Sequence, residues 1–109
     1  MAYSHDLEKR IDARVEDFGL AKKKMFGGIC YLLQGNMCFG IYRDFLIVRL
    51  GSAAAAEPYL AQAHVKPMDI TGRPMKGWVM VAPTAYDGPE QLRPWLSRGM
   101  RFAQSLPPK

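Results

Sequence analysis

The stretch Met37-Cys38-Phe39-Gly40-Ile41-Tyr42-Arg43-Asp44-Phe45-Leu46-Ile47-Val48-Arg49-Leu50 decides the fold. Its two apolar runs, Met37 to Tyr42 and Phe45 to Leu50, are short and parted only by Arg43-Asp44. Such runs read as strands, and so short a connection forces antiparallel pairing, because parallel neighbours need a crossover of about a dozen residues. Upstream, Met25 to Leu33 reads as a further strand, joined through the turn-rich triplet Gln34-Gly35-Asn36.

Helices flank this core. Leu7, Ile11, Val15 and Phe18 recur at helical spacing on one face of a segment from Ser4 to Phe18, with Ser4 or Asp6 to cap its start and Gly19 its end. The alanine run Ala53 to Ala56, continuing through Tyr59, Leu60 and Ala63, reads as a second helix. Pro58 either lies in its first turn or kinks it. Val65 to Ile70 and Met75 to Val81 read as two more strands joined by Thr71-Gly72-Arg73-Pro74, with Pro67 suited to an edge. From Asp87, as a cap, a last helix reaches Ser105 with Leu92, Trp95, Leu96, Gly99, Phe102 and Ala103 on its apolar side. The expectation is an α+β domain in two layers, with helices on a mostly antiparallel five-stranded sheet in the order α-β-β-β-α-β-β-α.

Both faces of that sheet are apolar. Leu46, Val48 and Leu50 oppose Phe45, Ile47 and Arg49, and Trp78 and Met80 oppose Val79 and Val81, so helices on one face leave the other bare. A homodimer would cover it, unless the helices wrap both faces or the strands are short and mostly covered. If Leu33 pairs with Met37, Cys38 faces Leu32 and Cys30 faces Gly40, two positions out of register; a one-residue slip sends the thiols to opposite faces. Neither register favours a disulfide, and both cysteines are read as buried, reduced thiols.

With 109 residues, 49% of them apolar and 23% charged, the chain makes one globular domain, and intrinsic disorder is excluded. The polar opening MAYSHDLEKRIDAR lacks the apolar centre of a signal peptide, and no run approaches the length of a membrane span, so a cytoplasmic protein without membrane contact is expected. The net charge of +5 raises the case for an anionic partner without naming one.

Three stretches carry a family likeness: Lys23-Lys24-Met25-Phe26-Gly27-Gly28, Gly35-Asn36-Met37-Cys38, and Met68-Asp69-Ile70-Thr71-Gly72-Arg73-Pro74-Met75-Lys76-Gly77-Trp78. Together with Leu92, Trp95 and the ending Phe102-Ala103-Gln104-Ser105-Leu106-Pro107-Pro108-Lys109, they resemble the N-terminal domain of the TfoX/Sxy proteins over nearly the whole chain. The resemblance implies a two-layer α+β fold similar to type III secretion chaperones. It also implies a bacterial regulator rather than an enzyme, since the founding members regulate natural competence with the cyclic-AMP receptor protein. Those members carry a second, helical domain, which the sequence ending at Lys109 leaves out, so a stand-alone short member is expected.

No GxGxxG after a strand, GxxxxGK[ST], GxSxG or HExxH occurs, which leaves dinucleotide, nucleotide, hydrolase and zincin chemistry without local support. No cofactor and no metal is expected; His5 and His64 read as exposed or capping residues. The glycine turns Gly27-Gly28 and Thr71-Gly72-Arg73-Pro74, with Arg73 and Lys76 beside the second, have the composition of an anion nest. The simpler reading is that the glycines shape turns and that Asp69 pairs with Arg73 or Lys76. Arg49 stands within an apolar alternation, either paired with Asp69 or Asp44 or half exposed with its stem on the sheet.

The basic residues fall into two groups, Lys22, Lys23 and Lys24 after the first helix and Arg93, Arg98 and Arg101 within an arc of about 140° on the last. Three functions follow in order. The first is a protein-interaction module, a dimer whose partner is related to transcription. The second is a nucleic-acid binder, which requires the two basic groups to converge. The third is a small-ligand protein using Arg49, Arg73 and Lys76 around an anion.

Overall fold

Alternation of apolar side chains along the central segment produces a six-stranded sheet in the computed structural model, which describes residues 3–25, 27–69 and 75–108. The strands are β1 (Ala21–Met25), β2 (Gly28–Leu33), β3 (Asn36–Tyr42), β4 (Phe45–Arg49), β5 (Val65–Pro67) and β6 (Trp78–Val81). Their order is β1-β2-β3-β4-β6-β5, and every pair is antiparallel. Helix α1 (His5–Val15) precedes the sheet, α2 (Ala53–Leu60) joins β4 to β5, and α3 (Pro89–Gln104) closes the chain.

The sixth strand corrects the expected five. β1 carries Ala21-Lys22-Lys23-Lys24-Met25, almost wholly exposed, and has no apolar period to betray it. It is an edge strand, where lysines discourage pairing with other chains. At the opposite edge lies β5 with Pro67, as its missing N–H predicts.

The turns set the register. Gln34 (φ 52°) and Gly35 (φ 85°) form a two-residue hairpin turn, so Asn36 belongs to the strand and pairs with Leu33, not Met37 with Leu33. A bulge between Tyr31 and Leu32 then restores Cys30 opposite Gly40. Its extra residue puts Cys38 in the core beneath the helices while Cys30, opposite Gly40, lies on the other face. Both thiols are free and buried. Gly77 (φ 84°) immediately precedes β6, and its carbonyl accepts the N–H groups of Leu50 at 2.6 Å and Gly51 at 3.1 Å, tying the end of β4 to the start of β6.

The helices cover one face. Leu7, Ile11 and Val15 of α1, Ala56 of α2 and Leu92, Trp95, Leu96 and Ala103 of α3 pack against Tyr31, Phe39, Ile41, Leu46, Val48, Val79 and Val81. Ser4 caps α1 by accepting the Leu7 N–H at 3.1 Å, and Ser52 caps α2 from Ala55. Pro58 lies inside α2, six residues into it, rather than in its first turn. The cap of α3 is Gly88 rather than Asp87: the Gly88 N–H donates to Gln91 Oε1 at 2.8 Å. Gly99 lets α3 settle onto the sheet, since a Cβ there would strike the Cys38 carbonyl.

The second face is closed within the chain itself. Ile47, Met80 and Trp78 are buried there together with Met68, and Met37, Tyr42, Phe45 and Met75 pack half buried around them. Met68 and Met75 supply this cover, and the Met75 N–H donates to the Met68 carbonyl at 2.8 Å. The bare apolar face expected from alternation alone is therefore not found.

Candidate interaction site

Where α1 ends, the chain tightens into a single 3-10 turn, Glu16–Phe18, and Gly19 (φ 67°) stops it in the left-handed conformation. That turn swings Phe18 off the buried stripe of α1, and it stands 50% exposed, contrary to the face its spacing predicts. Phe18 borders a groove of about 370 Å³ between the end of α1 and the middle of α3. Buried Val15 and Leu96 form its floor, Met100 lines it half buried, and Arg14 and Arg93 flank it. Neither guanidinium has an ion pair among the described residues. Of these residues, the sequence marks only Arg93 as a candidate contact, whereas Val15, Phe18 and Leu96 read as apolar-face residues of their helices. The glycine stop directly after Phe18 is the signal that the helical period breaks before it.

The other predicted cations are differently placed. Lys22 bonds Glu8 Oε2 at 2.9 Å and Asp12 Oδ2 at 3.0 Å on α1, and these hydrogen bonds, that to Glu8 first, raise its pKa. Tyr31 donates to Asp12 Oδ1 at 2.7 Å in the same network. Burial first, then the Asp12 bond, pushes this phenol's pKa upward. Lys23 and Lys24 are exposed on β1. The Arg98 guanidinium carbon lies over the adjoining rings of Tyr59, at 4.5 Å, and Trp95, at 4.7 Å, and Arg101 lines a neighbouring groove with Tyr59 and Phe102. Tyr59 belongs to α2, which packs on β5 and β6, whereas Lys22 to Lys24 occupy β1 at the other end of the sheet. The sheet order thus separates Lys22 to Lys24 from Arg98.

Arg49 pairs with neither Asp69 nor Asp44. Its guanidinium carbon lies 5.1 Å from the Phe102 ring centre and 5.7 Å from that of Trp78, and Nη1 donates to the Met37 carbonyl at 3.4 Å. Asp69 and Lys76 are exposed and form no ion pair among the described residues. Phe26, Thr71, Gly72, Arg73 and Pro74 lie outside the described residues, so the turn and the Arg73 contacts do too.

The remaining motif residues build the sheet. Gly27 (φ 79°) turns β1 into β2, and Gly28 permits the close approach of the Ile41 carbonyl. Asn36, 2% exposed, donates from Nδ2 to the Pro107 carbonyl at 2.9 Å and ties down the tail. His5 contacts Glu8 at 3.4 Å, and His64 is exposed. Among the described residues no group of three or more His, Cys, Asp or Glu is placed to hold a metal, and no helix is long and apolar enough to cross a membrane.

The family model described as the TfoX N-terminal domain matches residues 16–103. No curated protein matches the chain, and no solved structure does.

Proposed function

Because the chain belongs to the TfoX N-terminal domain family, we propose that it works as a non-enzymatic, protein-binding regulatory module that acts with a transcription factor. The observation that carries this reading is the groove of Val15, Phe18, Leu96 and Met100, where a half-exposed Phe18 shares the lining with Arg14 and Arg93, neither of them ion-paired among the described residues. Aromatic, methionine and arginine side chains are the types enriched where proteins recognise one another, and this groove brings one or more of each together. The cytoplasm is the proposed site of action, and a likeness to type III secretion chaperones, supported by a helical layer over an antiparallel sheet, belongs to the same reading. A homodimer is proposed as the working assembly, with the half-buried Met37, Tyr42, Phe45 and Met75 at the margin of the second face as its contact.

The test is light scattering and calorimetry with purified cyclic-AMP receptor protein, the factor the family resemblance names, with and without promoter DNA. A defined complex supports the reading, as does a mass of twice the chain for the protein alone. A monomer that forms no complex overturns it.

Direct nucleic-acid binding is the second reading, favoured by exposed Lys23, Lys24 and Arg101. The two carboxylates that pair with Lys22 reduce the charge left for phosphates.

A further inference from the structure

We infer that the groove between the end of α1 and α3 receives a short acidic, amphipathic helix of a partner protein. This rests on the reading of the chain as an interaction module and adds the chemistry of what it binds. The groove's floor is apolar and shallow, so it takes a few side chains rather than a whole packed element. Phe18 and Met100 offer an aromatic and a flexible thioether, surfaces that adapt to leucine-sized side chains.

Arg14 and Arg93 stand on the two helices that form the walls, and neither is neutralised within the chain among the described residues. Lys22 shows the contrast, with two carboxylates of α1 paired to it. Guanidinium groups at an apolar margin favour bidentate carboxylates, and a helix carrying leucines one turn apart with glutamates beside them presents both chemistries together. A second copy of this chain docked groove to groove fits poorly, because it would bring the same two guanidiniums against each other. The phosphates of a duplex nucleic acid would satisfy the arginines but leave Phe18 without an apolar partner, because the bases of a duplex are stacked on one another.

The experiment uses a fluorescein-labelled synthetic helix of about 15 residues, with leucines spaced i, i+4 and flanking glutamates, titrated with the full chain at physiological salt. Saturable binding is expected. Phe18→Ser should weaken it about tenfold, and the double variant Arg14→Glu/Arg93→Glu should weaken it at least about tenfold while gaining affinity for the same peptide with lysines in place of glutamates. The reciprocal gain keeps the test independent of folding, since an unfolded variant would bind neither peptide specifically.

Absence of binding by the wild type, or undiminished binding of the acidic peptide by the charge-reversed variant, overturns the inference. Displacement of the peptide by duplex DNA, dependent on Arg14 and Arg93, overturns it too and gives the groove to nucleic acid. A receptor-protein complex that survives Arg14→Glu/Arg93→Glu refutes the groove alone and leaves the interaction module standing. Peptide binding without any receptor-protein complex removes that partner and leaves the groove.

Discussion

Replacing Gly99 by alanine should destabilise the protein, although the same change in an exposed helix would stabilise it. Helix propensity alone favours alanine by about 1 kcal/mol. At Gly99, however, the added methyl would meet the Cys38 carbonyl oxygen, with the Cys38 carbonyl carbon at 3.0 Å and the Phe39 ring at 3.1 Å. The obstacle is strand backbone, which cannot rotate away, so the overpacking penalty falls at the upper end of about 1–3 kcal/mol. The net loss is about 1–2 kcal/mol, or a Tm lower by about 5–15 °C in a domain of this size. Thermal denaturation followed by circular dichroism measures it, with Gln104→Ala on the exposed side of the same helix as the control. A Gly99→Ala protein that melts at or above the wild-type temperature would refute the close helix-to-sheet seating that also positions Arg93, Leu96 and Met100.

Cys30 and Cys38 are buried, and burial pushes both thiols up to about 11, so a thiol reagent at pH 8 should label neither in the native protein and both in denaturant; rapid native labelling would contradict the packing. The same raised values, with burial pushing Tyr86 up to about 12, make the unfolded chain lose protons before the folded one, so stability should fall as pH rises from about 9 towards 11. Urea midpoints at pH 8 and pH 10.5 check the sign, and an unchanged midpoint would refute it. Phe18→Ser should lower stability by less than about 1 kcal/mol, because its side chain is already half exposed, whereas Leu96→Ala across the groove floor should lose about 2–5 kcal/mol. Equal losses in urea titrations would mean that Phe18 is packed.

The sheet's centre was legible because Phe39 to Val48 alternate over both faces and their turns are too short for any other pairing. β1 was not, because an edge strand of lysines is selected for solubility and carries no period. Residue alternation also says which side chains share a face but not what lies over it, so burial of Ile47, Trp78 and Met80 by Met68 and Met75 was hidden in a segment that reads as strand and turn. The cap at Gly88 escaped because its bond comes from the backbone N–H to the Gln91 side chain, leaving the nearby aspartate as the more conspicuous signal. For the site, charge patterning located Arg93 but grouped it with Arg98 and Arg101. Helical angle places the three on one arc, whereas the neighbours divide it: Arg93 faces α1, and Arg98 faces Tyr59 of α2. Phe18 was assigned to the core because the change from α to 3-10 geometry lies in backbone dihedrals, which the spacing of apolar residues does not record.

The most direct test of the central claim, that this chain recognises protein rather than nucleic acid, is fluorescence anisotropy of a labelled duplex titrated at low and physiological salt. The account predicts at most weak binding at low salt that disappears at physiological salt. Saturable binding that persists there, and is lost when Lys22 to Lys24 or Arg98 and Arg101 are neutralised, would contradict it.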